Sequence, residues 1–361
     1  MDSGSDYGFQ FHEQDDVART SDDELLSVIE RLKVHIKIFG AGGAGSNSIS
    51  RLMKEGIKEA RLIACNTDAP HLLRIRSHNK ILLGKNLTRG LGSGADPKIG
   101  EEAARESEQE ILKYVSGSDI MFITAGLGGG TGTGSAHYIA RIARNLGALT
   151  IGVVTLPFKS EGVVRKQNAD WGLNKLINSS DTVIIIPNDK LLELVPDLPL
   201  EKAFKYADEI IVKAIVGLTD LVTNPGLINL DFNDLKTIMQ NSGVAMIGIG
   251  VSKEGEETRI IDAVDKAVNS PFLQMDMSTA TGVIVNVKGG RDLQLQEANN
   301  AAEEVQKRVG KNTKIIWGAN IDDSYEGQVE ILIVATGLAS EYNKGRGGQA
   351  TKPEDDLDFV A

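Results

Sequence analysis

The chain has 361 residues, 41% of them hydrophobic and 25% charged, with a formal charge of −11; this is the composition of a globular protein long enough for about two domains. The acidic balance excludes general nucleic-acid binding, no window approaches about 18 uncharged apolar residues, so no membrane insertion is expected, and the polar start Met1-Asp2-Ser3-Gly4 does not read as a secretory signal. The single Cys65 excludes an internal disulfide and fits a reducing cytoplasm, while His12, His35, His71, His78 and His137 show no metal-ligand spacing, so no metal held by protein ligands is expected.

Residues 1–20 are polar and rich in Gly, Ser and Asp, and are predicted to be disordered. Ser21-Asp22-Asp23-Glu24 reads as a capping box, and Leu25, Val28, Ile29 and Leu32 then share one face of a short docking helix. From Val34 onward strands and helices alternate. Strands are predicted over 34–39, 61–65 and 81–83, with a helix over 45–54. Asp96-Pro97 is an N-cap and N1 pair for one helix running to about Val115. The apolar runs 120–124, 150–155 and 182–187 suit a buried parallel sheet, with a helix over 135–146 between the first two. Residues 200–223 read as a long helix with Ala203, Phe204, Ala207, Ile210, Ile211, Ala214, Ile215, Leu218 and Leu221 as its apolar positions; Asn224-Pro225-Gly226 stops it. Further strands are predicted over 245–250, 282–287, 314–317 and 329–335. The pattern implies an α/β fold: a doubly wound parallel-sheet domain, a long central helix, a second smaller α/β domain, and flexible termini.

Two glycine runs follow predicted strands. Gly40-Ala41-Gly42-Gly43-Ala44-Gly45 fits a dinucleotide fingerprint, but the acid that a redox cofactor needs about 20 residues later arrives late, in Asn66-Thr67-Asp68. The run Ala125-Gly126-Leu127-Gly128-Gly129-Gly130-Thr131-Gly132-Thr133-Gly134 is more informative. Its six glycines read as a tight turn rather than the interior of a helix or strand, because each would cost about 1 kcal/mol against Ala there. Backbone N–H groups at a helix N-terminus form a site for phosphate. No Gly-Lys-Ser/Thr ends the run, which excludes a P-loop.

The string Gly128-Gly129-Gly130-Thr131-Gly132-Thr133-Gly134 matches the signature of the tubulin/FtsZ family residue for residue. The resemblance spans roughly residues 34–337. It implies that Gly42, Gly43, Ala44 and Asn47 lie along the diphosphate of GTP or GDP, and that Asn66 and Asp68 reach toward phosphate and Mg2+. Gly92, Gly94 and Ala95, in Gly90-Leu91-Gly92-Ser93-Gly94-Ala95-Asp96-Pro97, would sense the γ-phosphate. Gly126, Gly128, Gly129, Gly130, Thr131, Gly132, Thr133 and Gly134 would cradle the phosphates. Glu161 would accept from ribose hydroxyls, with Arg165 near sugar and phosphate. Asn188 and Asp208 would read guanine, and Phe204, one turn before Asp208, can stack on the base. A carboxylate accepts from both N1–H and the 2-amino group of guanine, whereas adenine offers no such pair. His137 stands where many members have Pro, just past the signature, a departure that a helix start would tolerate.

Asn229-Leu230-Asp231-Phe232-Asn233-Asp234 resembles the family's NxDxxD loop; Asp231 also suits an N-cap. In the family this loop enters the nucleotide site of the adjacent subunit, where Asn229, Asp231 and Asp234 would act on the attacking water. The resemblance thus implies a GTPase that assembles head to tail into a homopolymer, forming a cytoplasmic mid-cell division ring. It divides the chain into an N-terminal extension (1–33), a GTP-binding domain (34–199), a central helix (200–223), a GTPase-activating and assembly domain (224–338) and a tail (339–361). The tail peptide Leu357-Asp358-Phe359-Val360 is expected to bind membrane-anchoring or ring-regulating division proteins. A nicotinamide-dependent oxidoreductase would explain the first glycine run only.

Overall fold

The computed structural model describes residues 33–194, 199–223, 230–253, 255, 258–273, 276–338 and 342. The predicted docking helix, the stop at 224–226, Asn229 and the tail peptide all lie outside the described residues. The chain divides into a short unit of residues 1–34, of which only 33 and 34 are described, and a main unit of residues 35–361 that carries every element below.

The main unit opens with β1 (Ile36–Ala41), α1 (Gly42–Glu55), β2 (Ala60–Asn66), α2 (Ala69–Arg74) and β3 (Asn79–Leu82). Then come α3 (Pro97–Glu106), α4 (Glu108–Val115), β4 (Ile120–Gly126), α5 (Thr131–Asn145), β5 (Leu149–Leu156), α6 (Val163–Ser179) and β6 (Thr182–Pro187). The short α7 (Leu191–Leu194) leads to α8 (Leu200–Thr223) and α9 (Phe232–Met239). The remainder is β7 (Gly243–Ser252), α10 (Arg259–Val268), β8 (Gly282–Gly289), α11 (Leu295–Gln306), β9 (Lys314–Ile321) and β10 (Val329–Thr336).

Among the described residues one sheet of ten strands runs β3-β2-β1-β4-β5-β6-β7-β10-β8-β9. It is parallel from β3 to β7, antiparallel on both sides of β10, and parallel again between β8 and β9. Every residue of β5, and all of β4 but its terminal glycine, is buried; helices cover both faces, so these strands read as continuous apolar runs without alternation. Chain order reverses at β1, which pairs with β2 on one side and β4 on the other. A crevice outside the carboxyl ends of β1 and β4 is where such a sheet takes a ligand. The long helix α8 buries Ala203, Ala207, Ile210, Ile211, Ala214, Ile215, Leu218 and Leu221, whereas Phe204 remains 41% exposed.

Three sequence expectations are corrected. The helix after the second glycine run begins at Thr131, not Ser135, so Gly132 and Gly134 form its first turn. They are glycines because neighbours press in: a Cβ at Gly132 would meet the carbonyls of Ala41 and Gly126 at 3.0 Å, and one at Gly134 would overlap the Pro97 carbonyl. His137 therefore lies in the second turn, buried edge-on against Trp171, and desolvation drives its pKa down to about 4. The single helix expected from Asp96 to Val115 is two: Asp96 caps α3 as expected, but Ser107 interrupts, its hydroxyl accepting the Gly84 N–H at 3.0 Å. Among the described residues no helix is long and apolar enough to cross a membrane.

Away from the crevice, Arg259 on α10 is 2% exposed and grips Glu297 through Nε (2.7 Å) and Nη2 (2.8 Å), while Nη1 meets Asp292. This fork matches carboxylate geometry and pins α10 to the first turn of α11, with Asp292 of the β8–α11 connection held beside it.

Candidate active site

The crevice is a cleft of about 450 Å³. Thirteen of the residues marked in the sequence line it: Gly43, Ala44, Asn47, Gly126, Gly129, Gly130, Thr131, Gly132, Glu161, Arg165, Asn188, Phe204 and Asp208. Ser93, Leu127, Thr155, Pro157 and Ala207 complete the wall.

One end is built from the N-termini of α1 and α5, side by side because Ala41 and Ala125 are register partners at the ends of β1 and β4. The glycines here do two different jobs. Gly42, Gly126 and Gly130 permit close packing: a Cβ at Gly42 would meet the Gly132 nitrogen at 2.6 Å, one at Gly126 the Ala44 methyl at 2.7 Å, and one at Gly130 the Asp96 nitrogen at 2.8 Å. Gly43 and Gly129 line the cleft, yet a Cβ on either would meet nothing within 4 Å among the described residues. Space kept open over two helix N-termini fits an anion approaching the backbone N–H groups.

A chain of buried hydroxyls fixes three loops at this end. Thr131 Oγ1 lies 2.6 Å from Thr67 Oγ1 and 3.0 Å from Ser93 Oγ. Thr133 does not line the cleft; its Oγ1 accepts the Gly128 N–H at 2.9 Å and closes the glycine turn. Asn66 and Asp68 turn to their own backbone: Asn66 Oδ1 accepts from Thr67 N at 2.9 Å, and Asp68 Oδ1 caps α2 through His71 N at 2.8 Å. The turn holding Gly92, Gly94 and Ala95 runs through left-handed backbone, including Ala95 at φ 62°, and of its residues Ser93 is the one on the cleft wall. Asn168 of α6 donates to the carbonyls of Ala95 (3.1 Å) and Gly128 (3.3 Å), tying that turn to the glycine loop.

The other end is aromatic and polar. Phe204 meets Phe158 edge-on, with centroids 5.4 Å apart. Asn188 is 5% exposed and its Oδ1 has no hydrogen-bond partner among the described residues; such an orphan acceptor fits a ligand donor. Glu161 accepts the Phe158 N–H at 2.9 Å and pairs with Arg165 one turn on. Asp208 Oδ2 lies 3.4 Å from Arg51 Nε. Burial pushes the Asp208 carboxyl up to about 6, and Arg51 resists that rise.

Asp231 and Asp234 are exposed and do not line the cleft. Asp231 caps α9 through Asn233 N at 3.3 Å, and Asp234 stands in the first turn of that helix.

Comparison with known proteins agrees with this geometry. The model of the Tubulin/FtsZ family, GTPase domain, matches residues 35–196, and that of the FtsZ family, C-terminal domain, matches residues 243–339. Cell division protein FtsZ 1 of Pyrococcus furiosus is 52% identical over 321 residues, covering 89% of this chain and 86% of its own. The protein of the same name from Methanocaldococcus jannaschii is 52% identical over 319 residues, with coverages of 88% and 87%. An empty FtsZ dimer from M. jannaschii superposes with a TM-score of 0.84 at 52% identity, covering 88% of this chain and 92% of that one. CetZ2 from Haloferax volcanii, solved as a GTPγS-bound protofilament, reaches a TM-score of 0.74 at 20% identity, covering 86% of this chain and 96% of that one, a likeness of fold alone. The glycine-walled crevice, both family models and the half-identity across most of the chain lead to one conclusion: the chain belongs to the tubulin/FtsZ GTPase family, in its FtsZ branch.

Proposed function

We propose that this cell-division GTPase holds GTP in the cleft and hydrolyses it only when a second copy docks head to tail, inserting Asp231 and Asp234, with Asn229, over the γ-phosphate. The observation that carries the reading is the state of the cleft's own carboxylates. Glu161 is engaged by Arg165 and the Phe158 N–H, and Asp208 by Arg51. Neither is left free to hold an attacking water. The motif acids stand exposed elsewhere on the same chain, so a heterologous contact between copies completes the site. Such contacts, when they do not close, generate filaments. The M. jannaschii relative solved as a dimer supports association between copies.

In this reading the N–H groups around Gly43, Gly129 and Gly130 receive the phosphates, Phe204 stacks on the base, and Asn188 and Asp208 read its edge. Mg2+ would be carried on the phosphates, neutralising their charge; it commonly keeps several waters and takes few protein ligands. Residues 34–199 form the nucleotide domain and 224–338 the assembly domain of a filament at the division ring, with the tail recruiting membrane-anchoring or regulating proteins.

The test is sedimentation with GTP or GDP, together with turnover of Asp234→Ala. The reading expects GTP-dependent pelleting, and an Asp234→Ala protein that pellets with GTP yet turns over slowly. Wild-type turnover by Asp234→Ala would remove the assignment of that acid.

A further inference from the structure

The face of α1 turned toward α8 repeats at helical spacing: Ala44, Asn47, Ser48 and Arg51 fall at i, i+3, i+4 and i+7. The first two line the cleft. The last acts on Asp208. Ser48 Oγ donates to the Ala44 carbonyl at 3.2 Å, whereas Arg51 places Nε 3.4 Å from Asp208 Oδ2 while Nη1 donates to Glu209 Oε1 at 3.2 Å. One guanidinium thus spans two successive acids of α8. Its side chain is 23% exposed, and it also borders a second cavity, of about 140 Å³.

We propose that Arg51 is a specificity-determining positioning residue: it fixes one oxygen and the charge of Asp208, and thereby sets the preference of the cleft for guanine. This rests on the reading of Asp208 as the base-contacting group. Guanine presents two donors on the edge concerned, so a carboxyl that is to accept from both must be ionised. A mostly buried carboxylate tends to take up a proton, and a protonated carboxyl offers O–H where N1–H needs an acceptor. The charged groups facing Asp208 are Arg51 from α1, which favours ionisation, and Glu209 beside it on α8, which opposes it. Nη1 also engages Glu209, so Arg51 holds the neighbouring negative charge as well. Because the same helix opens with Gly43 and Ala44 on the cleft wall, the base end and the phosphate end are registered by one rigid element, on which Ala44 and Arg51 stand about two turns apart.

The experiment measures dissociation constants for GTP and ATP with the purified full chain in five forms: wild type, Arg51→Gln, Arg51→Lys, Asp208→Asn and the Arg51→Gln/Asp208→Asn double variant. Arg51→Gln should weaken GTP by about tenfold or more while leaving ATP within about twofold, because the loss falls on the base edge alone. Arg51→Lys, which keeps the charge but loses the fork, should fall between, and carries the test alone if Arg51→Gln does not fold. The double variant should lose no more than Asp208→Asn alone, since both changes act through one carboxylate. The acid limb of GTP binding should move to higher pH in Arg51→Gln. Equal weakening of GTP and ATP by Arg51→Gln, or additive losses in the double variant, would reduce Arg51 to a packing role. If Asp208→Asn itself retains full discrimination, the base-reading assignment fails; if Asp208→Asn loses discrimination and Arg51→Gln keeps it, only the role of Arg51 fails.

Discussion

Asp208→Asn separates stability from function at a single atom. Burial raises this carboxyl from 3.8 to about 6, with the attraction of Arg51 already included. Below about pH 4 the group is neutral in folded and unfolded chains alike and costs nothing. Between about 4 and 6 the unfolded chain releases its proton while the folded chain keeps it, so stability falls as pH rises. Above about pH 6 both are ionised and the penalty levels off at roughly 3 kcal/mol, from about two pKa units at 1.36 kcal/mol each. Asparagine has the same shape and no charge to desolvate. The nucleotide-free variant should therefore be more stable than wild type at about pH 7.5, by 1–3 kcal/mol or several degrees in Tm, and the gap should close near pH 4. The gain reverses with nucleotide. Bound guanine favours the ionised carboxylate, so wild-type GTP affinity should fall about tenfold per unit as pH drops below about 6, a limb that the variant lacks. Thermal melts with and without GTP across pH read both effects. A ligand-free variant that is less stable at pH 7.5, with a deficit unchanged at pH 4, would refute the reasoning: Asp208 would then be a structural ion pair with Arg51.

Asp234→Ala should bind GTP with wild-type affinity and lose turnover by about 100-fold or more, the scale of a positioned acid or base, as steady-state phosphate release would record. Gly129→Val should fold, since a Cβ there meets nothing within 4 Å among the described residues, yet abolish GTP binding by filling the cleft; a variant that binds normally would move the phosphates elsewhere. Gly134→Ala should do the opposite and lower Tm, because its Cβ would overlap the Pro97 carbonyl. Arg259→Ala should destabilise by about 3–5 kcal/mol in denaturant melts by stranding Glu297 and Asp292, while leaving GTP affinity of the remaining folded protein unchanged.

Much of this arrangement was legible from local pattern. Continuous apolar runs marked β4, β5 and β6 because both faces of those strands are covered, and Asp96-Pro97 announced the start of α3. Asn188, Phe204 and Asp208 lie far from the glycine loops in sequence; composition and spacing could not bring them to the cleft, and the family resemblance singled them out. What stayed hidden depended on tertiary partners. Ser107 breaks a helix because Gly84, 23 residues away, needs an acceptor. Gly132 and Gly134 enter a helix because neighbouring backbone leaves no room for a Cβ. Ser93 carried a usable signal, as the one hydroxyl between two glycines of a turn before a helix. Asn168 carried none, since its bonds to Ala95 and Gly128 depend on how α6 lies across both loops. Arg51 could have been reached by following the face of α1 from Ala44 in steps of three and four.

The central claim is that the active site is shared between copies. The most direct test is the GTPase rate per subunit against protein concentration, with Mg2+ present and ATP as the control nucleotide. A shared site requires a rate near zero below a threshold and a constant rate per assembled subunit above it. A rate per subunit that does not change with concentration would mean that each chain carries its own catalytic acids, and would contradict the account.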